Sequence, residues 1–298
     1  MPSLPTLIFM SFFFLGSLVA MLQNGFIVTV LGRAWARDRS LPTGDIIVTC
    51  LAASRFCLHG MSVLNNLLVV FGFYPKVSAF NIPWDFVNTL TFWFTGWLAF
   101  FYCVKISSFS HPVFLWLKWR ISQSVPRLLL GSLVISGVSV STSIVGNLRL
   151  GPLVALQIFG GNNTLANRIL TTHRLIFLPH LVLVLSVPFV LFLVSTLLLM
   201  YSLHRHLGKM KDGRLGQRDP STQAHTMALK SLAFFLIFYT SYFLSIVIVI
   251  MKSINFPNHW HWVWEVVTYA GICLHSSILI LSSPKLRKAL KMRLRKPC

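Results

Sequence analysis

Seven long apolar runs dominate this chain, near residues 5–31, 43–72, 84–108, 128–146, 177–203, 228–252 and 262–282. A bilayer core about 30 Å thick takes roughly 20 residues of helix to cross, and each run meets or nearly meets that length. The fourth is the shortest. Apolar residues make up 55% of the chain and charged residues 11%, whereas a soluble domain carries about 25% charged residues. Too few polar groups remain to cover a water-facing surface, so lipid must be part of the solvent. The expected fold is an all-α, seven-transmembrane-helix bundle forming one domain over residues 1–298. The first run starts within a few residues of Met1, has no basic segment ahead of it and is too long for a signal-peptide core. It reads as an uncleaved first helix.

Charge orients the bundle. Twenty of the 26 Lys and Arg residues fall on one set of alternate connections: Arg33 to Arg39, Lys105 to Arg127, Arg205 to Lys230 and the tail from Lys285 to Lys296. Five (Lys76, Arg149, Arg168, Arg174, Lys252) fall on the other, and Arg55 lies inside a run. This bias puts the C-terminus in the cytoplasm and the N-terminus outside. The net charge of +20 is therefore no nucleic-acid footprint, since it is split among short segments between apolar runs. Asn162-Asn163-Thr164 is a glycosylation sequon in a connection expected to be external, so Asn162 is the candidate acceptor. After Pro284, Leu286, Leu290 and Leu294 recur at helical spacing among seven basic residues. That pattern predicts a short amphipathic helix within 284–298, lying on the anionic inner leaflet. Cys298 follows it but completes no prenylation box.

Enzyme chemistry finds no foothold. The six acidic residues form no intramembrane pair, and there is no Gly-rich phosphate loop, HExxH sequence or paired cysteine spacing. Neither catalysis nor a cofactor is expected. His259 and His261 alternate with Trp260, Trp262 and Trp264, which reads as an interfacial aromatic belt rather than a metal site.

Polar groups inside the runs are more informative, because lipid makes them costly and turns them inward. Asn24 lies in the second half of run one. Arg55 lies about 20 Å into run two at 1.5 Å per residue, with the Asn24 amide and backbone carbonyls as candidate partners. It is either interhelical glue or a switch. Trp84 and Asn88, one turn apart, share a face at the outer end of run three, where Asp85 could instead be a helix cap. Tyr242 adds a hydroxyl to the middle of run six. Glu265, one turn into run seven, is either a counter-ion for cationic ligands or a solvated edge carboxylate.

Local sequences then become specific. Asn24-Gly25-Phe26-Ile27, Leu51-Ala52-Ala53-Ser54-Arg55 and Phe101-Tyr102-Cys103-Val104-Lys105-Ile106 occur in that order. They are followed by Phe114-Leu115-Trp116-Leu117-Lys118, a fifth run containing Pro188 and ending Ser202-Leu203-x-x-His206-x-x-x-Met210, and Asp219-Pro220-Ser221-Thr222-x-Ala224-His225 leading to Ala228-Leu229-Lys230-Ser231. Leu274-His275-Ser276-Ser277 precedes Pro284-Lys285-Leu286. Together these resemble the bitter taste (type 2) receptors nearly end to end. The resemblance implies a multi-pass plasma-membrane receptor that binds small bitter agonists in its outer half and activates a gustducin-type heterotrimeric G protein. It implies ligand contacts at Trp84, Asn88, Tyr242 and Glu265. It also implies structural or switch roles for Asn24, Arg55, Pro188, His275 and Ser276, and coupling through Tyr102, Lys105, His206, His225 and Lys230. As in that family, the Asp-Arg-Tyr and Asn-Pro-x-x-Tyr motifs of rhodopsin-like receptors are absent; the loop around Asn162 has no cysteine to tie down helix three, which must be held by packing. A vomeronasal type 1-like receptor is the nearest alternative, and a small-molecule transporter a more distant one.

Overall fold

A computed structural model describes residues 3–72, 74–107, 109, 111–160, 164–212, 220–252 and 258–295. Asn162 and Cys298 lie outside these residues, as does the side chain of His225. Among them are eight helices and no strand: α1 (Leu4–Asp38), α2 (Thr43–Val70), α3 (Tyr74–Ile106), α4 (Pro112–Gly160), α5 (Thr164–Asp212), α6 (Pro220–Lys252), α7 (Asn258–Ser282) and α8 (Pro284–Arg295). The first seven are long and apolar enough to span a membrane. All-helical structure is what lipid demands, because only a helix satisfies its own backbone polar groups without water.

Helix ends follow local chemistry. Arg39 closes α1 in a left-handed conformation (φ 53°), its N–H donating to the Trp35 carbonyl at 2.8 Å. Gly72 ends α2 at φ 77°, where a side chain would be strained. Two boundaries differ from the sequence reading. Helix α3 starts ten residues ahead of Trp84, because Pro83 interrupts one backbone bond without ending the helix. Asp85 therefore sits inside a helix rather than at its N-cap. Helix α4 begins at Pro112 rather than near residue 128, so Lys118, Arg120 and Arg127 ride on its inner turns. Their charges had masked the start of the span.

α3 is the axis of the bundle: 72% of an apolar 18-residue stretch of it is buried, against 22% for α1, and it packs most heavily on α2 and α5. A close approach makes this possible. A Cβ added at Gly96 would lie 2.9 Å from the Pro188 carbonyl oxygen of α5, so only glycine fits there. On the far side, Trp97 Nε1 donates to Ser132 Oγ of α4 at 2.9 Å. The described cysteines, Cys50, Cys57, Cys103 and Cys273, are free, so among the described residues packing and hydrogen bonds hold α3 in place.

The core divides in two. An inner cluster gathers Ile27, Leu31, Ile47, Leu51, Leu98 and Leu279, and Leu286 of α8 is buried in it at 1% exposure. An outer cluster is aromatic, with Phe13, Phe92, Phe192, Tyr239 and Trp262 among its members. The rings of Phe189 and Phe243 stack at 4.0 Å, and those of Phe92 and Tyr242 at 5.2 Å. Between the clusters runs a polar layer. Ser276 Oγ donates to Asn24 Oδ1 at 3.1 Å, Thr91 Oγ1 to Ser54 Oγ at 3.1 Å, and Arg55 Nη2 to Thr95 Oγ1 at 3.4 Å. The expected Asn24–Arg55 partnership does not form. Asn24 spends its Nδ2 on the Ala20 carbonyl and its Oδ1 on Ser276, which leaves Arg55 facing α3.

Candidate ligand-binding site

Helical spacing places Trp84 and Asn88 on the inward face of α3 one turn apart, and Glu265 and Tyr269 likewise on α7. These four side chains, with Asp85 and Leu185, line one cavity of about 120 Å³ in the outer half of the bundle. Its wall between α3 and α7 is a hydrogen bond, Trp84 Nε1 donating to the Tyr269 hydroxyl at 2.9 Å. The remaining sequence candidate, Tyr242, sits behind this cavity at 1% exposure, and its hydroxyl donates to Asn88 Oδ1. Asn88 is thus the junction between the cavity and α6. Trp84, Asn88, Tyr242 and Glu265 therefore come together as one group, but Tyr242 reaches the cavity only through Asn88.

Glu265 is not a solvated edge group. Its Oε2 is buried without a hydrogen-bond donor, and the carboxyl lies beside Ser62 and Asn66 of α2. Nor do the two span-seven tryptophans whose side chains are described form a belt, while the side chains of His259, Trp260 and His261 lie outside the described residues. Trp262 is 6% exposed, its ring 5.7 Å from that of Phe13, and Trp264 lines the cavity. The alternation reads as a membrane edge in sequence, whereas α7 turns Trp262 toward α1 and Trp264 toward the cavity. Tyr269 and Thr268, both lining the cavity, were missed. Glu265, Thr268 and Tyr269 do stand at the i, i+3, i+4 spacing of one helix face, which was the available signal.

The other named residues distribute along the bundle. Pro188 faces Gly96, and the His275 ring stacks on Phe235 at 3.5 Å within the polar layer. At the inner end, Tyr102 is half-buried against the inner cluster, and Lys105 Nζ donates to the Lys118 carbonyl at 3.0 Å. His206 and Lys230 are exposed on α5 and α6. A larger open groove of about 420 Å³ lies beside Trp35, Arg39 and Cys50 at the inner ends of α1 and α2. It gathers far less buried polar chemistry than the outer cavity, which makes the outer cavity the better candidate for recognition.

Comparison with known proteins agrees with this fold. The taste receptor protein (TAS2R) family model matches residues 1–297. Taste receptor type 2 member 62 of Pan paniscus is 58% identical over 300 residues, covering 100% of this chain and 96% of that protein. Member 134 of Rattus norvegicus is 57% identical, covering 96% of this chain and 86% of its own. Member 16 of Pan troglodytes is 42% identical, covering 96% and 97%. Matched along its length and built of seven membrane-spanning helices, the chain belongs to the taste receptor type 2 family, the bitter taste G-protein-coupled receptors, and is a multi-pass plasma-membrane receptor, not an enzyme.

Proposed function

We propose that this receptor binds small bitter compounds in the outer cavity and that binding activates a gustducin-type G protein at its inner face. The observation that carries the reading is the enclosure of Trp84, Asn88 and Glu265 in one cavity between α3 and α7. Trp84 and Tyr269 offer aromatic faces, Asn88 a hydrogen-bonding amide and Glu265 a carboxyl for a cationic group. The bond that Asn88 accepts from the Tyr242 hydroxyl links cavity contents to α6. On the cytoplasmic side, Tyr102, Lys105, His206, His225 and Lys230 are the proposed coupling residues. The exposure of His206 and Lys230 supports that role.

Calcium imaging in cells co-expressing a gustducin-like α subunit tests both halves. A broad bitter library should contain agonists, and Trp84→Ala or Asn88→Ala should raise their half-maximal concentrations about tenfold or more at unchanged surface expression. Silence of the surface-expressed wild type would sink the proposal. Loss of expression in step with response would make Trp84 and Asn88 structural residues.

A further inference from the structure

The polar layer between the two apolar clusters contains a charge with no counter-charge. Arg55 is 1% exposed, and a guanidinium cannot shed its proton to escape burial. Its one bond among the described residues, to Thr95, is long at 3.4 Å, while Nε and Nη1 meet no acceptor among them. The carboxylates are elsewhere. Asp38 pairs with Arg37 and Asp45 with Lys285 at the inner end, Asp212 is the last residue of α5, and Asp219 comes just before α6 in the sequence. Asp85 stands ten residues from Thr95 along α3, about 15 Å. Glu265 lies beside Ser62 and Asn66, roughly two and three turns beyond Arg55 on α2.

What surrounds Arg55 instead is a set of polar groups without partners. The Tyr239 hydroxyl, beside Thr95 and within electrostatic reach of the guanidinium, is buried and makes no hydrogen bond of good geometry. The same holds for both ring nitrogens of His59, one turn along α2, and Nδ1 of His275 on α7. Both imidazoles also feel the Arg55 charge. An imidazole carries at least one N–H in any protonation state. Each neutral imidazole and the Tyr239 oxygen also offer an acceptor, but with the three N–H bonds of Arg55 Nε and Nη1 the donors outnumber the acceptors, and the group is enclosed by Phe92, Phe235 and Tyr269.

We propose that Arg55 anchors a buried site for a small inorganic monoanion of the chloride type, held by its Nε–H and Nη1–H and the Tyr239 hydroxyl, with His59 and His275 at the edge. An isolated charge in a low-dielectric interior is strongly unfavourable, and one negative charge cancels it. Water would satisfy the N–H groups but leave the charge, and a dianion would reverse it. Because the donors come from α2, α6 and α7, occupancy fastens three helices at mid-depth.

Thermal unfolding of the full-length receptor in detergent, at fixed ionic strength, tests the site independently of any agonist. The midpoint should rise with chloride and saturate, bromide should substitute, and gluconate and sulfate should not. Tyr239→Phe keeps the ring and removes one donor, so half-saturating chloride should rise about tenfold, the factor for one charge-assisted hydrogen bond. Arg55→Met should abolish the response; if that variant fails to fold, the Tyr239→Phe titration still decides. Equal midpoints in chloride and gluconate would overturn the proposal. An identical response to every sodium salt, or unchanged half-saturation in Tyr239→Phe, would do the same.

Discussion

Asn88 donates or accepts at the junction of cavity and α6, and its Oδ1 is already taken by Tyr242. Tyr242→Phe removes that donor but keeps the ring stacked on Phe92. Hydrogen bonds between membrane helices average about 0.6 kcal/mol, so the variant should lose roughly that much stability. Freed from its partner, Asn88 should respond to lower concentrations of agonists that donate a hydrogen bond. A thermal melt and a dose–response curve on the same variant check both expectations, and unchanged sensitivity would remove Asn88 from the ligand's reach. Glu265→Gln should weaken cationic agonists about tenfold and neutral ones little, the size expected for one charge-assisted contact. Equal losses in the two classes would refute the counter-ion role. At this scale the sequence was readable where polar residues stand alone in apolar runs, as Asn24, Arg55 and Asn88 do. It was not readable for partnership. Asn24 lies in reach of several groups, and the rotation of α7 decides that Ser276, not Arg55, donates to its Oδ1.

Helices set what those residues can meet. The contact of Gly96 with Pro188 holds α3 and α5 closer than any side chain at position 96 allows. Gly96→Ala should therefore cost about 1–3 kcal/mol, the usual penalty of overpacking, despite alanine's better helix propensity. The measurement is the unfolding midpoint against Gly131→Ala, where an added Cβ meets nothing within 4 Å. Similar midpoints in the two variants would show that α5 yields. Existence and count of helices were legible because apolar runs of this length have one stable form in lipid. The starts of α3 and α4 were not, since a proline and three cations mark a boundary in sequence without forming one in the helix. The amphipathic α8 was legible from leucine spacing, and the burial of Leu286 shows what that spacing serves.

At the scale of the molecule, basic residues concentrate on the inner end, where Lys285 also meets Asp45 at 3.8 Å. Each Lys or Arg near an anionic leaflet contributes about 1 kcal/mol of attraction. The receptor should melt several degrees higher in nanodiscs containing phosphatidylserine than in phosphatidylcholine alone. The gain should shrink with salt and with neutralisation of Arg287, Lys288 and Lys291, and a lipid-independent midpoint would argue against an inner-leaflet contact. Orientation was legible because it depends on counting charges, whereas the cavity was not, because it depends on which faces of α3 and α7 turn toward each other. The separation of the core into an inner and an outer cluster has a further consequence. The bundle is a laminate: two apolar slabs with a polar sheet between them, sharing helices but few side chains. A substitution in the outer slab is absorbed by aromatic neighbours at its own level before it reaches the inner one. Such a receptor can be re-specified at its detecting end, one side chain at a time, while its signalling end stays the same.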